Sequence, residues 1–263
     1  MTGTRRRTCW FIGWDVGGWN CDKNQNSRDA IVILDANHEI VGIPWRGNLR
    51  ECINSCSTST EWLEALFDLC GSGVSPESGP VTLAIDTPLG FSDAFIQLVT
   101  QSKAAAAIQA SNTNPYLFRR TEHYLFEQGL SPLSSIKDMI GSQATKGMHV
   151  LARFAPKIVE CGVWSDGNNL TAIEAYPSAC KRSETMQALR RPYSALSHAD
   201  CEDALTCALV ASLFAEKRSA LMPPEADVSP SEGWIWVPKD AFVQEASPQA
   251  EPSGLDLHGK YDL

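Results

Sequence analysis

Apolar positions along the chain fall in short runs, several of them closed by an acid. Cys9–Asp15 is such a run, and it ends on Asp15. A polar loop with Gly17 and Gly18 follows, and then Ala30–Leu34 reads as a second strand. Ala36–His38 reads as a turn and Glu39–Pro44 as a third strand, which predicts an antiparallel meander. Thr58 or Ser59 supplies an N-cap for a helix over about Thr60–Cys70, with Trp62, Leu63, Leu66 and Leu69 on one face. Val81–Ile85 predicts a fourth strand, again closed by an acid, Asp86. From Ser92 to about Val163 the periodicity is mostly helical, including Lys103–Ala110 and Lys146–Phe154. Leu170–Ala175 predicts a fifth strand with Glu174 near its end. Asp200 opens a helix through Lys217, stopped by Pro223 and Pro224, and Trp234–Val237 reads as an extra edge strand.

This order predicts an α/β fold: a mixed five-stranded sheet with flanking helices and a helical insertion over residues 92–163. Residues 1–243 are expected to form one domain. Residues 244–263 carry Pro, Ser, Gln and charges with little apolar content, so a disordered tail is expected there, whose removal leaves folding intact.

Composition narrows the setting. The 263 residues are 43% apolar and 20% charged, which suits a globular protein. No apolar run approaches the ~18 residues of a membrane span, so no membrane partner is expected. Arg5–Arg7 before Cys9–Ile12 imitates an export signal, but Asp15 cuts the apolar core below the ~7 residues such a signal needs. The nine cysteines are odd in number and contain no C-x-x-C pair, so neither a disulfide framework nor a zinc site is expected, Cys52 and Cys56 read as structural, and a cytoplasmic setting follows. The net charge of −9 is unevenly spread. Residues 101–191 hold 11 basic against 7 acidic side chains, between two acidic flanks. A basic middle is what a phosphate-binding surface requires, although ordinary surface variation produces the same pattern.

The acids at the ends of elements are the chemical signal. Asp15, Asp86 and Glu174 end strands, and Asp200 and Asp203 sit three apart on one helix. If the first, fourth and fifth strands run parallel as neighbours, their ends share the edge at which open α/β sheets bind ligands. Converging carboxylates suit Mg²⁺ or Mn²⁺, and two such ions could activate water against a phosphodiester. Singly, each acid has a plain alternative: Asp86-Thr-Pro is a turn sequence, and Asp200 with Asp203 makes an N-cap with a first-turn acid.

The motifs resemble a known family. Gly13-Trp-Asp-Val-Gly-Gly-Trp19 resembles the G-x-D-x-x-G-W opening of the domain-of-unknown-function 429 family, a predicted nuclease group with a ribonuclease-H-like fold. Asp86-Thr-Pro-Leu-Gly90 is similar to its D-x-P-x-G motif. Glu174-Ala-Tyr-Pro177 is similar to its E-x-H-P motif, with Tyr176 where many members have histidine. Asp200-Cys-Glu-Asp-Ala-Leu205 is similar to its closing helix and to the last catalytic helix of Holliday-junction resolvases. Arg120-Thr-Glu122, Gly129–Ser134 and Glu232–Ile235 extend the likeness to roughly residues 9–240. The resemblance implies a ribonuclease-H-like sheet and a metal-dependent nuclease with ligands Asp15, Asp86, Glu174 and Asp203, Asp200 assisting, and nucleic acid as partner.

Arg119, Arg120 and Lys146, with Lys103 and Lys137, are the candidates for holding substrate phosphate; salt bridges of Arg119 and Arg120 to Glu122 or Asp138 are the alternative. His123 and His198 are candidate proton shuttles or plain packing residues. Trp10, Trp14 and Trp19 could stack on bases, but their spacing favours core and rim. Two further functions stay open. Asp15–Gly18 resembles the phosphate loop of actin-like ATPases and sugar kinases, and a catalytically degenerate nucleic-acid-binding module would fit the negative charge. Monomer and homodimer are equally compatible with the sequence.

Overall fold

The computed structural model describes residues 9–76, 79–108 and 113–242. Strand β1 (Trp10–Asp15) is buried on both faces, as a central strand must be. Ile12 and Trp14 enter one core, Phe11 the other. It pairs antiparallel with β2 (Asp29–Leu34), which pairs antiparallel with β3 (Trp45–Gly47). On its other side β1 runs parallel to β4 (Val81–Asp86), and β4 runs parallel to β7 (Leu170–Ala175). The far edge of β7 is shared. β6 (Val163–Ser165) covers Thr171–Ile173 antiparallel, and β8 (Ile235–Trp236) covers Glu174 and Ala175 parallel. β5 (Lys157–Glu160) closes the order β3-β2-β1-β4-β7-β6-β5.

The sheet is a mixed open one of eight strands among the described residues, larger than the five expected. One difference moves a strand, and two other features add the three further strands. The meander's third strand is Trp45–Gly47, because Gly42 turns left-handed (φ 73°) and leaves Glu39–Pro44 with one isolated bridge, Leu34 to Ile40. Lys157–Glu160 and Val163–Ser165 are a short hairpin inside and beside the segment expected to be helical. Trp234–Val237 contributes the extra edge strand expected of it, pairing with β7 alone among the described residues.

Helices cover both faces. On one lie α1 (Arg50–Ser55), α2 (Ser59–Leu69) and α5 (Gly141–Phe154). Thr58 caps α2 through the Glu61 amide, and the buried stripe is Trp62, Leu63, Leu66 and Phe67, with Leu69 left largely exposed. Between the faces' elements run α3 (Asp93–Gln101) and α4 (Arg120–Glu127). Helix α3 stops where Ser102 turns left-handed (φ 52°), and Tyr116 Oη accepts the Ala105 amide, so Lys103–Ile108 is not helical. The other face carries α6 (Pro177–Cys180), α7 (Glu184–Arg190) and the long α8 (Ala199–Lys217). The predicted tail lies outside the described residues.

Helix α8 crosses β1, β4 and β2. Its apolar positions run nearly all round, as suits a helix buried between other elements. Gly13 makes its approach possible: a Cβ there would stand 1.8 Å from the Ala204 carbonyl oxygen and 2.4 Å from the Ala208 nitrogen. Both are backbone atoms and neither can rotate away. Gly13→Ala should therefore cost at least the ~1–3 kcal/mol typical of overpacking, read as a lower urea midpoint, and should weaken any ligand response at the α8–β1 edge.

Candidate functional site

Asp15 and Asp86 are paired residues of parallel β1 and β4, at the ends of both strands. Paired residues share a face, and alternation puts both with Gly13 on the face that meets α8. The N-terminal turn and a half of α8 brings Asp200 and Asp203 to the same edge. Neither Asp15 nor Asp86 accepts a hydrogen bond to its carboxylate from any described residue. Burial and then the charges of Asp86, Asp200 and Asp203 push Asp15 up to about 9. Burial and then Asp203 and Glu174 push Asp86 up to about 8, with Lys181 opposing. Asp203 is raised by burial, and Lys181, whose Nζ stands 3.4 Å from Oδ1, pulls it back. Beneath the acids, burial holds the Cys207 thiol well above its ordinary range, so it adds no charge.

The other candidates are committed elsewhere. Glu174 pairs with Ile85 rather than Asp86, so it projects on the opposite face from Asp86. There Arg119 grips it through both terminal nitrogens, at 2.7 and 2.8 Å, and the Leu89 amide donates at 2.9 Å. Arg119 is 2% exposed and also binds Glu122, so it cannot take a substrate phosphate. Its partners include the Glu122 expected of a salt bridge but not Asp138. Arg120 pairs with Glu225 at 2.6 Å. Asp200 accepts from Arg46 Nε at 2.7 Å and the Arg28 amide at 2.9 Å, and the α8 N-cap is His198, not Asp200. Lys103 is exposed, and Lys137 pairs with Asp138 at 3.1 Å. His123 packs edge-on against Phe118. Trp10 and Trp14 are core; Trp19 is half-buried, donates to Thr145 Oγ1 and lies over Lys146. The nine cysteines are all free thiols, and Cys56 is buried.

Lys146 is the largest departure from expectation. It is fully buried on the face of α5 that also buries Gly147, Val150, Leu151 and Phe154. Its ammonium pairs with Asp29, itself fully buried, and reaches the carbonyls of Gly17 and Gly18 and the Asn48 side chain. Asp29 further accepts from Trp14 Nε1 and the amides of Gly17 and Leu49. This network fixes the loop that follows Asp15. A lysine at i, i+4, i+8 with Val150 and Phe154 was the available signal of a buried pair. Asp29 carried no signal until its partner was known.

The edge opens on a cleft of about 390 Å³. Asp15, Asp86 and Glu174 line it, with Val16, Pro88, Pro132, Leu133 and Ile140 as apolar wall and Gln143, Tyr176 and Ser178 as polar contacts. Tyr176 Oη donates to the Ser131 carbonyl at 2.9 Å and ties the end of β7 to that wall. Among the described residues no three His, Cys, Asp or Glu side chains draw together tightly enough to hold one ion. The arrangement is a pair of unpartnered carboxylates with a third beside them. That is a fit for a hard ion of the Mg²⁺ type, which keeps several waters and takes one or two protein carboxylates plus substrate oxygens.

Two outcomes follow. Lys146→Met leaves Asp29 buried without its cation and should cost about 3–5 kcal/mol in urea unfolding, with Lys146→Met/Asp29→Asn losing less. Asp15 and Asp86 keep their protons in the folded chain at pH values where the unfolded chain has released them. The folded state thus binds more protons between about pH 4 and 9, and metal-free stability should fall as pH rises through that window. Melting curves across pH should show this decline in the wild type and a flatter profile in Asp15→Asn.

Comparison with protein-family models, with characterised proteins and with solved structures finds no match to this chain.

Proposed function

We propose that this protein is a divalent-metal-dependent phosphodiester hydrolase of the nuclease type, working at the α8 edge of β1 and β4. One observation carries the reading: Asp15 and Asp86 stand side by side, half-buried at the rim of the cleft, two carboxyls that repel once both are ionised and with no donor from the described residues on either. Such a pair is unfavourable in itself and is relieved by a cation or by protons. The order β3-β2-β1-β4-β7, antiparallel in its first three strands and parallel thereafter, with an acid-bearing helix on β1, supports the ribonuclease-H-like fold that the motif resemblance implies.

Asp15 and Asp86 would hold Mg²⁺ or Mn²⁺. The ion supplies a Lewis acid for a phosphoryl oxygen and lowers the pKa of a bound water. Asp203, at the margin of the pair, would orient the attacking water and serve as its base. Lys181 beside it offers a point charge to the phosphate. Asp200 positions the start of α8 through Arg46 and the Arg28 amide. Glu174, neutralised by Arg119, holds the Asp86–Gly90 loop by its bond to the Leu89 amide instead of binding metal. The phosphate-loop reading of Asp15–Gly18 loses support, because the Gly17 amide is taken by Asp29 and the Trp19 amide by Ser142.

The test is a thermal-melt titration with Mg²⁺ and Mn²⁺ beside hydrolysis of bis(p-nitrophenyl) phosphate. Metal should raise the wild-type midpoint by mass action. Asp15→Asn and Asp86→Asn should abolish both the shift and hydrolysis, whereas Glu174→Gln should lower stability and keep the shift. A wild type indifferent to millimolar Mn²⁺ would leave a degenerate binding module in its place.

A further inference from the structure

The cleft's walls say which phosphodiester can reach the acids, an inference that rests on the hydrolase reading above. A duplex is held by cations that track its closely spaced phosphates. No lysine or arginine lines the cleft among the described residues. Three nearby cations are spent inside the protein, Arg119 on Glu174 and Glu122, Lys146 on Asp29 and Arg46 on Asp200, and Arg120 is paired with Glu225 at the surface. Lys181 stands apart from these, with its side chain 65% exposed beside Asp203.

The wall opposite the acids is apolar and fixed. Pro132, Leu133 and Ile140 form it, and Leu133 and the neighbouring Met139 are 54% and 88% exposed. The segment is tied to the rest of the protein by Tyr176 Oη to the Ser131 carbonyl, Arg182 to the Gly129 carbonyl at 2.9 Å, and Ser134 Oγ to the Leu117 carbonyl. An apolar wall accepts a base and repels a second phosphate backbone. At about 390 Å³ the space belongs with small-ligand pockets, which run from ~300 Å³ upward.

We propose that the substrate is a single unpaired nucleotide with its phosphodiester, its base against the Pro132–Leu133–Ile140 wall and one phosphate at Asp15 and Asp86, with the exposed Lys181 outside the lining, beside Asp203, as the nearby cation. A single-stranded nucleic acid and a free dinucleotide present the same chemistry, and the arms of the test separate them.

Mn²⁺-loaded protein is offered a labelled single-stranded 20-mer, the same sequence as a duplex, and a dinucleotide. Binding of the strand and the duplex is followed by fluorescence anisotropy in Ca²⁺ across a salt series. The unpaired substrates should be cut at least tenfold faster than the duplex. Cleavage of the strand but not the dinucleotide identifies the polymer as the source, and the reverse identifies the small molecule. Single-strand affinity should fall with salt at a slope near ~0.7–1.4, the value for one or two phosphates. Lys181→Met should lower that slope by about 0.7. Leu133→Trp should fill the wall and lose strand binding while keeping the Mn²⁺ melting shift.

Equal or faster cleavage of the duplex, or a slope of about 5 or more, overturns the substrate assignment and leaves the hydrolase reading standing. Hydrolysis of bis(p-nitrophenyl) phosphate with no cleavage of any nucleotide substrate also overturns it. Loss of that hydrolysis together with the Mn²⁺ shift overturns the hydrolase reading itself.

Discussion

Helix α8 lies so close to β1 that a single methyl group at Gly13 would overlap the Ala204 carbonyl oxygen, and this contact sets the spacing of the acids contributed by the two elements. Two residues along β1 stands Asp15; one residue before Ala204 stands Asp203. Sheet and helix are both rigid, so the distance between these carboxylates is inherited from backbone packing. Burial first, and then the like-charge crowding that this spacing imposes, raise Asp15 and Asp86. On the proposed reading, the same fixed spacing would let an ion, or protons, relieve the repulsion without rearranging the chain.

Around that edge the protein separates two uses of charge. Among the described residues Asp15 and Asp86 lack donors, while Asp29, Glu122, Glu174 and Asp200 are each held by a cation. Buried pairs of this kind contribute little net stability, yet breaking one is costly, and they specify geometry more than they stabilise it. Arg119 shows the effect: by holding Glu174 it anchors the end of β7, the Leu89 amide and the start of α4 at one point.

Much of this was legible in the residues. Acid-ended apolar runs located β1, β4 and β7, and their parallel pairing brings Asp15 and Asp86 to one edge as expected. Thr58, the α2 stripe and the extent of α8 were legible from capping and period within a residue or two. What escaped was which acid belongs to which cation. Glu174 is one residue off the pairing that would align it with Asp86, and a period-2 element turns one residue into the opposite face. The apolar face shared with Val150 and Phe154 hints that Lys146 is buried, and Glu122 stands three residues from Arg119, but the partners that decide both, Glu174 and Asp29, lie 55 and 117 residues away. The β5–β6 hairpin was missed because its strands are three and four residues long and all of β5 is exposed, which leaves no alternation to read.

The Lys146–Asp29 pair joins positions 117 residues apart and is the clasp on the loop after Asp15. Contacts of such sequence separation form late, after the entropy of closing a long chain segment has been met. The meander β1-β2-β3 can assemble from neighbouring sequence, but the loop that frames its acidic edge has no cation until α5 has been made and has docked. During synthesis, a chain released before about residue 150 would carry the strands that bear Asp15 and Asp86 without the clasp. A chain that stops short of α5 therefore has no cation for Asp29 and cannot complete the loop beside that edge.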